Sequence, residues 1–324
     1  MENKFENRVD LTELATHIAE VKTEIGKYIK GQPQLLDLLL VAILADGHVL
    51  IEGVPGVAKT LTARLLAKTI EANFKRIQFT PDLMPSDIIG TSIFNTKSND
   101  FEFKRGPLFA NIVLADEINR SPAKTQAALF EAMEERQITV DGTTHKLDLP
   151  FIVLATQNPI EQEGTYRLPE AQLDRFIFKI AVGYPGMEDE TEMLSNVQAN
   201  SHIIDFTKVK SFLSKDGIIK LKGLVQKVLV EENLIKYIIQ LVAATRKNSS
   251  LYLGASPRAS IAILNAAKAT AAIQNRDFVT PDDIKYVTVP VLRHRVALTP
   301  EKEMEGIHVD TIIQQIIDKI EVPR

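Results

Sequence analysis

The feature that most constrains this chain is a glycine-containing loop that joins a short apolar segment to a helical one. Residues 48–52 form an apolar run that predicts a buried strand, and residues 61–71 have the periodicity of a helix. The loop between them, residues 53–60, reads GVPGVAKT. A strand, a loop of this kind and a helix in that order are typical of a phosphate-binding loop. The sequence therefore predicts a nucleotide site on an α/β sheet.

The residue types in this loop suit the binding of phosphate groups. Gly53 and Gly56 would allow a tight turn in which backbone N–H groups approach the phosphates, and the helix N-terminus adds its positive dipole end. Lys59 would reach the β- and γ-phosphates, and the Thr60 hydroxyl would bind Mg²⁺. Ala58 stands where the pattern GxxxxGK[ST] has its last glycine, so an ordinary glycine turn is the alternative interpretation. The predicted nucleotide contacts are Gly53, Val54, Pro55, Gly56, Val57, Ala58, Lys59, Thr60 and Leu61.

Polar side chains follow two further predicted strands. The largely apolar residues 111–115 end in Asp116 and Glu117, and residues 151–156 lead to Asn158. Ligands of open α/β sheets bind outside the carboxyl ends of the strands, so these side chains are expected beside the P-loop. Asp116 would position Mg²⁺ through water, Glu117 would polarise the attacking water, and Asn158 could orient it. A solvated acidic turn and a turn-forming asparagine before a proline are the alternatives.

The order of predicted elements indicates an α/β domain followed by a helical one. Five apolar strands alternating with helices favour a parallel sheet covered on both faces, with polar interruptions at 93–103 and 137–149 predicting two inserted β-hairpins. Helical patterns dominate after Pro185, which predicts domains at 1–185 and 186–324 with an all-α second domain. The strands are predicted at 48–52, 76–79, 111–115, 151–156 and 175–180. The helices are predicted at 10–28, 34–45, 61–71, 123–136, 188–198, 234–246, 257–274, 281–291 and 309–320.

Composition excludes several classes of protein. The 324 residues include no cysteine, which removes disulfides, thiolate metal sites and cysteine nucleophiles. The six histidines lack paired spacing, so no transition metal held by protein ligands is expected. The apolar stretch 35–45 is too short to span a membrane, and the start of the chain lacks a signal-peptide pattern, which favours the cytoplasm. The net charge of −4, with neither half strongly basic, disfavours nucleic-acid binding.

Four motifs together resemble the MoxR family of AAA+ ATPases. They are GVPGVAKT at 53–60, LADEINR at 114–120, ATQNP at 155–159 and LPEAQLDRF at 168–176, and the resemblance covers most of the chain. An alanine at position 58 is typical of that family's P-loop. The two predicted hairpins resemble the helix-2 insert and the hairpin before sensor 1, which the family shares with the ATPase subunit of magnesium chelatase.

The resemblance implies roles for several residues. Asn158 matches sensor 1, Arg175 matches the arginine finger that reaches a neighbouring subunit's nucleotide, and Arg258, at the start of a lid helix, matches sensor 2. Without the resemblance, Arg175 would be read as a cation at a helix end that pairs with Asp174 or Glu170, and Arg258 as a simple helix N-terminal residue. Arg167 departs from the family's usual proline and is a poor finger candidate, and Gly31 and Gln32 resemble a stretch that packs around adenine.

These observations predict an ATP-hydrolysing AAA+ machine that uses ATP and Mg²⁺, with a helical lid closing over ATP at the junction of the two domains. The resemblance implies a homo-oligomeric ring, most simply a hexamer, that remodels or matures a protein client. It further implies a client with a von Willebrand factor A domain and, in some cases, insertion of a metal cofactor. One alternative is a nucleic-acid motor of the helix-2-insert type, which the acidic first domain disfavours. The other is a nucleotide-sensing scaffold without significant turnover, which would have no need of Glu117.

Overall fold

A five-stranded parallel sheet forms the centre of the fold. The structure, a computed structural model, describes residues 8–158, 166, 168–199 and 205–323. With strands numbered in chain order, the sheet consists of β1 (His48–Gly53), β2 (Phe74–Gln78), β5 (Ile112–Asp116), β8 (Ile152–Gln157) and β9 (Phe176–Val182). They have the order β2-β5-β8-β1-β9, and every neighbouring pair is parallel. This confirms the predicted fold class.

Apolar layers cover both faces of this sheet, as the sequence predicts. Successive side chains of a strand point to opposite faces, and in β1 Val49 and Ile51 join one buried cluster while Leu50 joins the other. Because both faces are buried, the strands are almost continuously apolar. The helices of this domain are α1 (Thr12–Gly26), α2 (Pro33–Leu44), α3 (Lys59–Thr69), α4 (Pro85–Ile89), α5 (Ala123–Glu135) and α6 (Glu170–Leu173). Neither α4 nor α6 was predicted, because five and four residues are too few to show a helical period.

Both predicted hairpins are present, and they contact each other. The first consists of β3 (Gly90–Asn95) and β4 (Asp100–Arg105), and the second of β6 (Gln137–Val140) and β7 (Thr143–Lys146). The Ser92 hydroxyl donates to Asp141 Oδ2 at 2.6 Å, and the rings of Phe103 and His145 stack with centroids 4.4 Å apart. The two hairpins therefore form one joined projection from the domain.

The second part of the chain is helical, with three elements that were not predicted. They are a two-stranded antiparallel sheet that pairs β10 (Leu251–Leu253) with β11 (Ala297–Leu298), and the helices α8 (Lys215–Gln226) and α12 (Pro300–Met304). The apolar cluster on one sheet face continues through α1 and α2 into this lid. The division at Pro185 stays a prediction. The lid helices are α7 (Met187–Ala199), α8 (Lys215–Gln226), α9 (Glu232–Lys247), α10 (Pro257–Ile273), α11 (Pro281–Leu292), α12 (Pro300–Met304) and α13 (Val309–Lys319).

Within the described ranges, no helix combines the length and the apolar character that a membrane span requires.

A buried histidine joins the sheet to α5. His48 Nδ1 accepts a hydrogen bond from the Val153 N–H at 3.0 Å, and Nε2 lies 3.1 Å from the Met133 carbonyl oxygen. A carbonyl oxygen only accepts, so the ring must be the neutral tautomer with its proton on Nε2. Burial lowers the pKa of His48 from 6.5 to about 4, which keeps the ring neutral at physiological pH.

We expect His48 to make stability depend on pH. A lowered pKa in the folded state means that its contribution is complete above about pH 6.5 and is lost as the pH falls toward about 4. The fall in the pKa of His48 from 6.5 to about 4 corresponds to about 3 kcal/mol of stability. Urea unfolding of wild type and His48→Gln between pH 8 and pH 4 would measure this contribution. The variant should be less stable at pH 8 but lose less stability on acidification.

The buried His294 also has a lowered pKa, but it is present in both proteins, so the difference between them isolates His48. Equal pH slopes for the two proteins would contradict the assignment.

Candidate nucleotide-binding site

The loop after β1 has the shape of a P-loop. Gly53 lies against β9, and a Cβ at this position would come within 2.7 Å of the Val182 carbonyl oxygen. Gly56 has φ +90°, and Ala58 has φ 59° and ψ 19°, in the left-handed region. That conformation costs an L-residue about 1–2 kcal/mol relative to the right-handed one. The loop therefore keeps the backbone path that a glycine would normally supply at position 58.

Lys59 begins α3 and lies over the loop. Its ammonium group donates to the Gly53 carbonyl oxygen at 2.6 Å and lies 3.4 Å from that of Val54. Burial lowers the pKa of Lys59, and the negative charges of Asp116 and Glu117 oppose this shift. Phosphate oxygens could replace the two carbonyls as acceptors. Thr60 follows in the first turn of the same helix, next to its N-terminal N–H groups.

Asp116 and Glu117 lie at the carboxyl end of β5 and share one buried threonine. The Thr156 hydroxyl donates to Asp116 Oδ1 at 2.5 Å and accepts the Glu117 backbone N–H at 2.9 Å. Glu117 has φ 56°, so the chain turns sharply immediately after the strand. Thr156 was not singled out from the sequence, although it is a polar residue that follows four apolar ones in β8. Its hydroxyl fixes the Asp116 carboxylate relative to the Glu117 backbone.

Cations and an amide on neighbouring elements hold the carboxylates from the other side. Arg76 Nε and Nη2 donate to Asp116 Oδ2 at 3.0 and 2.7 Å. Gln78 Nε2 donates to Glu117 Oε2 at 2.8 Å, and Arg120 Nε lies 3.1 Å from the same oxygen. Arg76 and Gln78 share one face of β2, and Arg76 Nη2 also donates to Gln78 Oε1 at 2.7 Å. A polar network therefore connects the two acids through β2.

Asn158 is buried immediately after β8. β8 lies between β1 and β5 in the sheet, and Glu52 pairs with Gln157 in register. The parallel strands thus place Asn158 between the strand that leads into the P-loop and the strand that ends in the acids. Its expected role of orienting a water stays a prediction.

Gly31 and Gln32 directly precede α2 and lie against the start of the lid, close to the end of β9. Gln32 Nε2 donates to the Gly183 carbonyl oxygen at 3.0 Å. Gly31 has φ +71°, and a Cβ there would approach Asp189 Oδ2 to 2.8 Å and the Pro185 side chain to 2.9 Å. Because β9 pairs with β1 as far as Gly53, this stretch lies at the same edge of the sheet as the P-loop.

Oxygen donors at this edge suit Mg²⁺. A Thr60 hydroxyl and an Asp116 carboxylate are hard ligands, and Mg²⁺ in phosphoryl-transfer sites takes one or two protein ligands together with phosphates and waters. No cluster of three or more His, Cys, Asp or Glu side chains able to hold a metal occurs among the described residues. The donor set therefore fits a magnesium ion that arrives with the nucleotide.

Arg175 lies at the opposite edge of the sheet. It directly precedes β9, whose first residue, Phe176, pairs with His48 at the beginning of β1. The length of β1 separates this edge from the P-loop by about 17 Å. Arg175 Nη1 donates to the Phe130 carbonyl oxygen at 3.0 Å and forms an ion pair with Glu134. Its ion-pair partner is thus on α5, and is neither Asp174 nor Glu170.

Arg258 lies beside Arg175 and not at its own P-loop. Ser256 caps α10, and Arg258 is the second residue of this helix. Arg258 Nη2 is 3.6 Å from Glu134 Oε1, and Nη1 is 3.9 Å from Asp174 Oδ2. The structure therefore brings the two predicted arginines together at one edge and Lys59 and the acids at the other. Arg167 and Pro159 lie outside the described residues.

Arg295, a buried arginine of the lid, holds the turn of the chain just before β9. It was not predicted from the sequence. All five N–H groups of Arg295 are used by main-chain carbonyls and by the Asp174 carboxylate. Its Nε donates to Asp174 Oδ1 at 2.7 Å, and the Ser256 hydroxyl donates to Asp174 Oδ2 at 3.1 Å. Because Asp174 directly precedes Arg175, these contacts with the lid fix the position of the Arg175 backbone.

Comparison with known proteins identifies the class of this protein. Residues 48–178 match the model of the ATPase family associated with various cellular activities (AAA), and residues 243–316 match the AAA lid domain. The fold and the site thus define a AAA+ ATPase.

Individual relatives identify the family within the AAA+ class. The chain is 44% identical to Chaperone MoxR1 of Mycobacterium tuberculosis over 93% of its length and 81% of that protein. It is 50% identical to the uncharacterised protein YeaC of Bacillus subtilis, over 92% of each chain. The crystal structure of a candidate ATPase from Cytophaga hutchinsonii, 47% identical, superposes with a TM-score of 0.90 over 97% of each chain. The chain belongs to the MoxR family.

We expect Thr156→Val to slow ATP turnover more than it weakens nucleotide binding. The substitution removes the hydroxyl that holds the Asp116 carboxylate against the Glu117 backbone. Because both acids are expected to act in hydrolysis, their misplacement should cost about tenfold or more in kcat. The P-loop is unchanged, so the Kd for ADP should stay within about threefold. Steady-state ATPase rates and equilibrium ADP binding would measure both quantities.

Thr156→Ser retains the hydroxyl and serves as the matched control. If Thr156→Ser loses as much turnover as Thr156→Val, the hydrogen bonds of the Thr156 hydroxyl do not control turnover.

Proposed function

We propose that this AAA+ protein hydrolyses ATP at the interface between neighbouring subunits of a homo-oligomeric ring, with a hexamer as the simplest form. The observation that carries the proposal is the division of the site between two edges of one sheet. Lys59, Asp116 and Glu117 lie at one edge, and Arg175 and Arg258 lie at the other. A head-to-tail contact would bring one subunit's arginines to the next subunit's P-loop, and repetition of such a contact closes a ring.

In this proposal each side chain has a separate task. The P-loop N–H groups and Lys59 hold the phosphates, and Glu117 takes a proton from the attacking water while Asn158 orients that water. Mg²⁺, held by Thr60 and Asp116, would neutralise charge on the β- and γ-phosphates. The neighbour's Arg175 and Arg258 would stabilise the charge that develops on the γ-phosphate. Gly31 and Gln32 would contact adenine.

We further propose that hydrolysis drives the remodelling or maturation of a protein client. The joined hairpins are suited to contact it, since Phe94 and Phe101 are exposed and pack edge to face with centroids 5.3 Å apart. The description of the M. tuberculosis relative as a chaperone supports work on a protein. Resemblance to the family supports a client with a von Willebrand factor A domain, metal-cofactor insertion as one form of maturation, and a cytoplasmic location.

The first test is the rate of Mg-ATP hydrolysis per protomer as a function of protein concentration. We expect the rate per protomer to rise with concentration, because an isolated chain lacks the arginines that its nucleotide needs. Glu117→Gln should bind ATP and lose hydrolysis by about 100-fold or more, because it lacks a base for the water.

The concentration dependence and the effect of Glu117→Gln are separate predictions, and each has its own contradicting outcome. Undiminished turnover in Glu117→Gln would remove the role assigned to this residue or reveal a contaminating ATPase. Bound ATP with no turnover at any concentration would favour the nucleotide-sensing scaffold.

The second test is complementation between two inactive variants. Lys59→Ala should lose nucleotide binding but keep its arginines, and Arg175→Ala should bind ATP but lack the finger. An arginine supplied in trans is worth about 10³–10⁵ in rate in other phosphoryl-transfer enzymes. Mixing the two variants should therefore restore activity that neither has alone, with a maximum at intermediate ratios. A mixture that stays at the sum of its parts would argue against a shared site.

A further inference from the structure

One carboxylate lies between the two arginines at the arginine edge of the sheet. Glu134, near the end of α5, pairs through Oε2 with Arg175 Nη1, and its Oε1 is 3.6 Å from Arg258 Nη2. These groups border a cleft of about 260 Å³, together with Met133 and Asp174. Glu134 is thus the one side chain, among the described residues, whose carboxylate forms ion pairs with both arginines.

The position of Glu134 is set by the fold. His48 accepts from the β8 backbone and donates to the Met133 carbonyl oxygen, which anchors the last turn of α5 to the sheet. The neighbouring Phe130 carbonyl accepts from Arg175, so one turn of helix contributes two acceptors to this guanidinium. Both contacts use Nη1 of Arg175.

Two guanidinium groups this close repel each other unless a negative charge lies between them. The Arg258 side chain is 58% exposed and could turn away into solvent. Asp174 is a weaker counter-charge for Arg258, because its Oδ1 accepts from Arg295, its Oδ2 accepts from Ser256, and Arg258 is 3.9 Å away. Glu134 is therefore the group that favours a paired arrangement of Arg175 and Arg258.

We propose that Glu134 is a positioning residue that holds Arg175 and Arg258 together as a pair directed at the neighbouring subunit's nucleotide. This inference rests on the proposed function, in which the two arginines act in trans. Glu134 itself need not touch the nucleotide. It reduces the number of arrangements that the arginines can adopt before the phosphates of the next subunit arrive, and so raises the fraction of interfaces that are competent for hydrolysis.

The complementation mixture supplies the test, because its active sites combine one chain's P-loop with the other chain's arginines. Glu134→Gln is introduced into the Lys59→Ala chain, which contributes arginines only. We expect the kcat of the mixture to fall about 10- to 100-fold with little change in KM for ATP, since the P-loop partner is unaltered. Glu134→Asp keeps the charge and should recover part of the loss. Glu135→Gln, on the adjacent exposed residue, should leave the rate unchanged.

Each outcome has a distinct meaning. An unchanged kcat with Glu134→Gln, or a change in KM alone, would overturn the positioning role. An equal fall when Glu134→Gln is placed on the Arg175→Ala chain would show that Glu134 acts on its own subunit, which also overturns it. If the unsubstituted mixture is inactive, the shared site of the proposed function fails first, and the inference fails with it.

Discussion

The parallel direction of the five strands determines how the rest of this molecule is arranged. The P-loop, the two acids and Asn158 each follow a strand, and they lie at the same edge because all five strands run the same way. A residue that precedes a strand must emerge at the other edge, and Arg175 precedes β9. No rearrangement of loops in one chain moves Arg175 across the length of the sheet. The separation of P-loop and arginine is thus a property of the topology, and a second subunit is the simplest way to overcome it.

The lid is attached to both edges, which gives it a means of connecting them. At the P-loop edge, Gln32 and Gly31 contact residues 183–189, where the lid begins. At the arginine edge, Arg295 and Ser256 hold the Asp174 carboxylate, one residue before Arg175. A shift of the lid on nucleotide binding would therefore also move the corner that carries Arg175. In the proposed ring, the state of one site would in this way reach the site of the next subunit.

Features of the site that depend on local sequence could be predicted, and those that depend on distant contacts could not. The P-loop, the acids and Asn158 each follow a short apolar strand, so pattern and spacing were enough to place them at one edge. The left-handed conformation of Ala58 is less obvious, because alanine carries no signal for it. Arg295 is hydrogen-bonded to Asp174, 121 residues away, and His48 to Met133, 85 residues away. The sequence near either residue gives no sign of those partners. α8 was missed although its buried Ile218, Leu221 and Val225 have helical spacing, because Gly217 and Gly223 lower its helix propensity.

Charge compensation within the chain explains why the two half-sites can exist apart. Asp116 is paired with Arg76, Glu117 with Arg120, and both arginines of the other edge with Glu134. Among these side chains each edge keeps about one excess positive charge before any neighbour or nucleotide arrives, because Lys59 adds to the two pairs at the P-loop edge and two arginines share Glu134 at the other. Assembly around ATP would exchange these ion pairs for contacts with phosphates. The net free energy of assembly is then the difference between two favourable sets of ionic contacts. Because that difference is small compared with either arrangement alone, the presence of the γ-phosphate can decide which one is adopted. An interface built from exchangeable ion pairs is consequently better suited to opening and closing with each turnover than one built from buried apolar side chains.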